Sequence, residues 1–166
     1  MSGTPWSQLM SAFSETLGKI KTHAGSAGNM FASVINFGSS YRIIYEREDI
    51  MNINPSRIQY GGGGTEFEPA FQAAYNIAQK TIQNEIILFI FMTDGGSSYP
   101  SSGVSQFQQM MKQYPKRFIY SGIEFNCSNF VMKNIKSALQ GRNYVANNLQ
   151  ELLRAYSSSI EIIAYK

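Results

Sequence analysis

The chain has 166 residues, 43% of them hydrophobic, and its 14 Lys and Arg against 11 Asp and Glu give a net charge of +3. That length and composition fit one domain, residues 1–166, large enough to bury a core, with no room for a second. The basic residues are scattered from Lys19 to Lys166 rather than gathered into a stripe, which argues against nucleic acid as a partner. No apolar run reaches the roughly 18 residues that a membrane span needs. The single Cys127 excludes an internal disulfide and any multi-cysteine zinc or iron–sulfur centre, and reads as a buried small hydrophobe. With one cysteine and no signal-peptide pattern after Met1, an intracellular location is slightly favoured. Asn126-Cys127-Ser128 has the form of a glycosylation triplet, which arises often by chance.

Pro5 suits a first helical turn, and Trp6, Leu9, Met10, Phe13, Leu17 and Ile20 follow at three- and four-residue spacing, predicting an amphipathic helix that ends near Gly25. Met30 to Phe37 reads as a buried strand, Gly38-Ser39-Ser40 as a tight turn, and Tyr41 to Arg47 as an edge strand whose alternation turns charged. A loop through Asn54-Pro55 leads to Gly61-Gly62-Gly63-Gly64 and then to a helix marked by Phe67, Ala70, Phe71, Ala74, Ile77 and Ala78. Ile86 to Met92 is an unbroken apolar run, the pattern of a central strand covered on both faces. After it come a helix from Val104 to Tyr114, a strand from Arg117 to Phe125, a helix from Asn129 to Gln140, a short strand from Asn143 to Ala146 and a last helix from Leu149. This alternation predicts a three-layer α/β sandwich: a mostly parallel sheet, helices on both faces and one antiparallel edge strand. Trp6, Phe13, Phe31, Phe37, Phe71, Phe89 and Phe91 fall on inward faces and are assigned to the core, with Met110 and Met111 as filler.

Three loops rich in oxygen are predicted at one end of that sheet: Met1-Ser2-Gly3-Thr4, Gly64-Thr65 and Thr93-Asp94-Gly95. Asp is scarce, only Asp49 and Asp94, and Asp94 stands where a buried strand emerges into the Gly-Ser loop 95–103. In open α/β sheets that end carries ligand sites. Taken singly, Ser2, Thr4 and Thr65 read as helix caps and Asp94 as a turn residue. Together they bring hydroxyls and a carboxylate to a common point, which suits a hard cation such as Mg²⁺ with about six oxygen ligands.

In this order and context the chain resembles a von Willebrand factor type A (vWA) domain, and the three loops resemble its metal-ion-dependent adhesion site, whose pattern is Asp-x-Ser-x-Ser, a Thr in a Gly-rich loop and an Asp closing a later strand. The resemblance implies that Ser2, Thr4, Thr65 and Asp94 ligate Mg²⁺ or Mn²⁺, with Gly3, Gly64, Glu66, Gly95 and Gly96 on the partner-binding rim. It implies a protein-binding module, not an enzyme, that engages a carboxylate of a protein partner. Two departures accompany it. The leading aspartate has no counterpart, so metal binding is expected to be weak or absent, unless Glu66 or Glu68 bends inward. The family's first central strand is also missing. The chain is therefore read as an N-terminally incomplete domain, a fragment or a reading frame begun too late, in which another chain or an upstream segment supplies the strand. Two other readings stand beside it: a metal-free or degenerate vWA interaction module, and a Mg-nucleotide-binding α/β enzyme built on Gly61 to Gly64. The glycines are followed by no Lys-Ser or Lys-Thr, which counts against the latter. His23, the only imidazole, is assigned to the end of the first helix rather than to catalysis.

Overall fold

Residues 3–27, 29–81, 83 and 85–164 are described by the computed structural model, with the side chains of residues 23, 25–27 and 162–164 outside that description. Ser2 and the His23 imidazole thus lie outside the described residues. The first amphipathic stretch forms α1, Thr4–Ala27, with Pro5 in its first turn. The hairpin follows as β1, Phe31–Phe37, and β2, Tyr41–Asp49, antiparallel from Phe31↔Asp49 to Phe37↔Tyr41 and irregular on both sides of Val34. The loop beyond holds two short 3-10 turns that hydropathy did not signal, Ile50–Asn52 and Pro55–Arg57. Each is capped by the side chain just before it: Asp49 accepts from the Met51 amide at 2.8 Å and Asn54 from the Ser56 amide at 3.0 Å.

The alternation then continues through α2 (Phe67–Gln79), β3 (Ile87–Thr93), α3 (Ser101–Gln113), β4 (Phe118–Phe125), α4 (Phe130–Ala138), β5 (Arg142–Ala146) and α5 (Leu149–Ala164). Strands β3, β4 and β5 pair in parallel, from Ile87↔Phe118 to Thr93↔Glu124 and from Ser121↔Arg142 to Phe125↔Ala146. The expected continuous sheet is, in hydrogen bonds, two sheets: β1–β2 and β3–β4–β5. Helices α2, α3 and α4 cover one face, where Phe67, Phe71, Phe107, Met132 and Ile135 pack on Phe91, Phe118 and Tyr120. On the other face Ala12 of α1 and Leu152 of α5 pack on Ile123 and Phe125. Farther along, α1 sets Leu17 and Ala24 against Tyr45, Ile50 and Ile53.

Most of the aromatics assigned to the core are in it. Phe71 meets Phe91 at 4.9 Å and Phe89 at 5.2 Å between ring centroids, both edge-to-face, the arrangement that ring quadrupoles favour. Phe31 is the exception. It is 45% exposed, under the Arg47 guanidinium at 4.9 Å from its ring centre, while Arg47 pairs bidentately with Glu85 at 2.8 and 2.9 Å. The strand end that period-two counting turned inward is instead a solvated edge. Trp6 is half-buried, its ring edge-on to Tyr60 at 5.5 Å.

Helices α2 and α3 approach closely because residue 103 is glycine: a Cβ there would stand 2.5 Å from the Phe71 Cβ. Gly103→Ala is therefore expected to cost about 1–3 kcal/mol through overpacking, despite alanine's better helix propensity. Urea unfolding measures this, and an unchanged midpoint would show that the two helices separate freely.

Candidate functional site

The site is assembled where the parallel strands end. Gly38, leaving β1, accepts from the Glu66 amide at 2.8 Å, and a Cβ on Gly38 would stand 2.6 Å from the Gly62 carbonyl oxygen. Only glycine allows the hairpin turn and the loop 61–66 to touch in this way. Gly62 and Gly63 in turn have φ of +66° and +90°, left-handed values that glycine adopts without strain. The loop so held delivers Thr65 to the end of β3: a Cβ on Gly95 would lie 3.3 Å from the Thr65 hydroxyl oxygen. Thr65 and the Asp94-Gly95 turn, thirty residues apart along the chain, are therefore neighbours.

Thr65 does not take the capping role that its type suggests. The N-cap of α2 is Glu66, whose side chain makes no capping bond, and the Phe67 amide is taken by Ser97 Oγ at 3.2 Å. Thr65 is thus not the cap of α2. The turn after β3 is held by the Thr93 hydroxyl, which accepts from the Gly95 amide at 3.1 Å, and by Asn129, whose Nδ2 donates to the Gly95 carbonyl at 3.2 Å. Both Thr65 and Asp94 are half-buried.

The first loop is placed less fully. Thr4 is exposed and starts α1, its carbonyl accepting from Ser7 Oγ at 2.9 Å, and Gly3 is exposed with φ +57°. The Trp6–Tyr60 contact sets this end of α1 beside the chain entering Gly61 to Gly64. The rim glycines Gly64 and Gly96 are exposed, Gly95 is half-buried, and Glu66 is exposed. Glu68 does not bend inward. Its carboxylate accepts from the Gly103 and Ser102 amides at 2.8 and 3.2 Å and from Gln72 Nε2 at 2.8 Å, capping α3. That cap is why α3 starts at Ser101, three residues before the predicted Val104. Among the described residues no cluster of three His, Cys, Asp or Glu side chains is placed to share a metal.

Sequence reasoning missed several neighbours of this turn. Ser97 belongs to the loop 95–103 that composition marked only as rich in Gly and Ser, and Asn129 was read only as the start of a helix. Glu124, the register partner of Thr93, is fully buried: its Oε1 accepts from Asn143 Nδ2 at 2.6 Å and its Oε2 has no partner among the described residues. Cys127 is half-buried rather than buried, its thiol 3.7 Å from the Thr93 carbonyl. A parallel register alone brings Glu124 here, and no local pattern announces it.

Against known proteins, no family model matches the chain and no curated protein does. Among solved structures, a von Willebrand factor type A protein from Catenulispora acidiphila superimposes with a TM-score of 0.67 over 90% of this chain, at 12% identity. The fold is that of a von Willebrand factor type A domain. The chain spans 38% of that structure's chain. In an open α/β sheet of this kind ligand sites lie at the carboxyl ends of the strands, where β3 ends here.

Burial first, then the Glu124 and Asp94 carboxylates, push the Cys127 thiol up to about 11. Alkylation of Cys127 by iodoacetamide should stay slow through pH 9 and reach half its maximum near the thiol value of about 11. Asp94→Asn, which removes one of the opposing charges, should move that midpoint down. A midpoint at the ordinary thiol value of 9.0 in the unaltered chain would show that neither burial nor the carboxylates hold the thiol up, and an unmoved midpoint in Asp94→Asn that Asp94 does not act on the sulfur.

Proposed function

We propose that this chain is a protein-binding module of the vWA type that engages an acidic group of its partner through Mg²⁺ or Mn²⁺ at the end of β3, and that it catalyses no reaction. Asp94 brings the fixed negative charge and Thr65 a neighbouring hydroxyl, while Ser2 and Thr4 of the first loop complete the donor set. A divalent cation so held supplies positive charge that a partner's carboxylate can neutralise, at a lower desolvation cost than an unpaired carboxylate would meet. Gly3, Gly64, Glu66, Gly95 and Gly96 form the rim, where small residues leave the backbone open to a partner.

The observation that carries this reading is the 3.3 Å approach of the Thr65 hydroxyl to the Gly95 position, with Thr65 not the cap of the helix that it precedes. A second reading, a metal-free vWA interaction module, is favoured by the Glu68 carboxylate being committed to α3, which leaves the site short of anionic donors. The Mg-nucleotide enzyme gains nothing from the geometry: Gly61 to Gly64 follows a 3-10 turn and an irregular stretch rather than a strand, and its close contact is with Gly38 and Ser39 of the hairpin.

Thermal unfolding with and without millimolar MgCl₂ separates the readings. The adhesive-site reading expects a Mg²⁺-dependent rise in Tm, worth about 2.7 kcal/mol when the ion is present at a hundred times its Kd, and its loss in Asp94→Ala. A rise that survives Asp94→Ala places the ion elsewhere and removes the reading. No rise in the unaltered chain, with partner capture insensitive to EDTA, leaves the metal-free module.

A further inference from the structure

Strand β4 carries polar groups into an otherwise apolar layer. Tyr120, Gly122 and Glu124 alternate onto the face where Tyr120 and Met132 of α4 share one core cluster, and β5 sets Asn143 beside Gly122 in register. Glu124 and Met132 are fully buried and Tyr120 is 1% exposed. Polar atoms at such depth must find partners inside the protein. Direct hydrogen bonds supply only some of them. Asn143 Nδ2 donates to Glu124 Oε1 at 2.6 Å, but the second oxygen of each of these two groups, Glu124 Oε2 and Asn143 Oδ1, is buried with no partner among the described residues. The Tyr120 hydroxyl reaches the Met132 sulfur at 4.0 Å, and a thioether is a weak acceptor.

Gly122 is the floor on which these groups converge. A Cβ there would run into Asn143 Oδ1 and stand 2.9 Å from the Tyr120 hydroxyl oxygen and 3.0 Å from the Met132 methyl. Burial first, and then the Glu124 carboxylate, push the Tyr120 phenol up, so the phenol lies within the field of that carboxylate and stays a neutral hydroxyl. Charge then limits what can satisfy the free oxygens. No Lys, Arg or His pairs with Glu124 among the described residues, and a buried carboxylate facing one neutral amide donor is costly. A water molecule would donate to both free oxygens and leave the negative charge uncompensated. A divalent ion would bury an excess positive charge and asks for more anionic oxygen than one carboxylate. A monovalent cation brings the sum to zero.

We propose that Glu124 Oε2, Asn143 Oδ1 and the Tyr120 hydroxyl oxygen hold one alkali cation, Na⁺ or K⁺, in the layer between α4 and the strands β4 and β5. Two of its ligands stand on β4 and one on β5, so the ion ties the two strands together from their helix-covered face. It binds the folded chain alone, because the three oxygens meet only in the parallel register of those strands. The site lies under α4 and is independent of any cation at Asp94.

Thermal unfolding of the full chain in EDTA at constant ionic strength tests this, with NaCl or KCl exchanged for tetramethylammonium chloride, whose cation is too large for the site. At ten times its Kd the alkali ion is expected to raise Tm by about 3–6 °C, in the unaltered chain and in Asp94→Ala alike. The rise is expected to vanish in Glu124→Gln, whose amide keeps an acceptor for Asn143 Nδ2, brings a donor for Asn143 Oδ1 and carries no charge. Equal Tm in the three salts for the unaltered chain would overturn the proposal and leave a proton or a water molecule on Glu124. A rise that survives in Glu124→Gln would overturn it by placing the ion elsewhere. Should Glu124→Gln not fold, crystals of the unaltered chain soaked in thallium(I) acetate decide: an anomalous peak beside Glu124 Oε2 and Asn143 Oδ1 is expected, and none there overturns the proposal. A Mg²⁺-dependent Tm rise lost in Asp94→Ala bears on the other site alone, so either idea can fail without the other.

Discussion

Side chains reaching across a junction with no backbone hydrogen bonds hold the hairpin β1–β2 to the parallel sheet β3–β4–β5. The anchor is Phe67 at the start of α2, fully buried, edge-on to both Phe37 and Phe91, which stack on each other. Such aromatic pairs contribute about 0.5–1.5 kcal/mol each beyond the area they bury, and their orientation is directional. Aliphatic side chains would fill the volume without fixing the angle between the two sheets. Helix α1 performs the same service on the opposite face with Ala12 and Leu17, and its register is fixed at the far end by Lys21, whose ammonium donates to the Met51 and Ile53 carbonyls at 3.0 and 2.8 Å.

The position of the candidate site follows from that packing. Phe67 lies two residues after Thr65, so burying its ring fixes how closely the preceding loop approaches the end of β3. Gly38, Gly62 and Gly63 then supply the close approach and the left-handed backbone that the loop needs to return across the hairpin. Ser97 ties the opposite side by taking the Phe67 amide, and Asn129 ties the next loop to Gly95. The neighbourhood of Thr65 and Asp94 is thus set by a buried ring, a few glycines and two side-chain hydrogen bonds from other loops, none of which is itself a candidate ligand.

How much of this was legible in the sequence depends on the range of the interaction concerned. The helices and strands were, because apolar periodicity is local: α2 begins at the Phe67 that marks it, and β3 lies within one residue of its apolar run. Boundaries set by distant partners were not. The start of α3 is fixed by Glu68, a residue of another helix, and the two 3-10 turns after β2 rest on single Asp and Asn caps that hydropathy does not register. Phe31 failed because counting alternate residues assumes that the inner face continues to the strand end, whereas the irregular pairing around Val34 and the Arg47 guanidinium make an exposed ring tolerable there. The order of the loops could be read from the chain, but the break between β1 and β3 could not, since it is a matter of hydrogen bonds between segments fifty residues apart.

Two carboxylates stand at the ends of adjacent parallel strands, and their surroundings divide their roles. Glu124 closes β4 inside the protein, wholly covered, with Asn143 as donor to one of its oxygens. A buried carboxylate held in this way contributes through that hydrogen bond and is ill suited to exchange partners with solvent, because each exchange would leave a buried group unpaired. Asp94 follows Thr93, the register partner of Glu124, and lies one residue beyond the end of β3, half-buried beside a glycine and a threonine hydroxyl. Burial first, and then both carboxylates, oppose ionisation of the Cys127 thiol, so the two strand ends share one electrostatic neighbourhood.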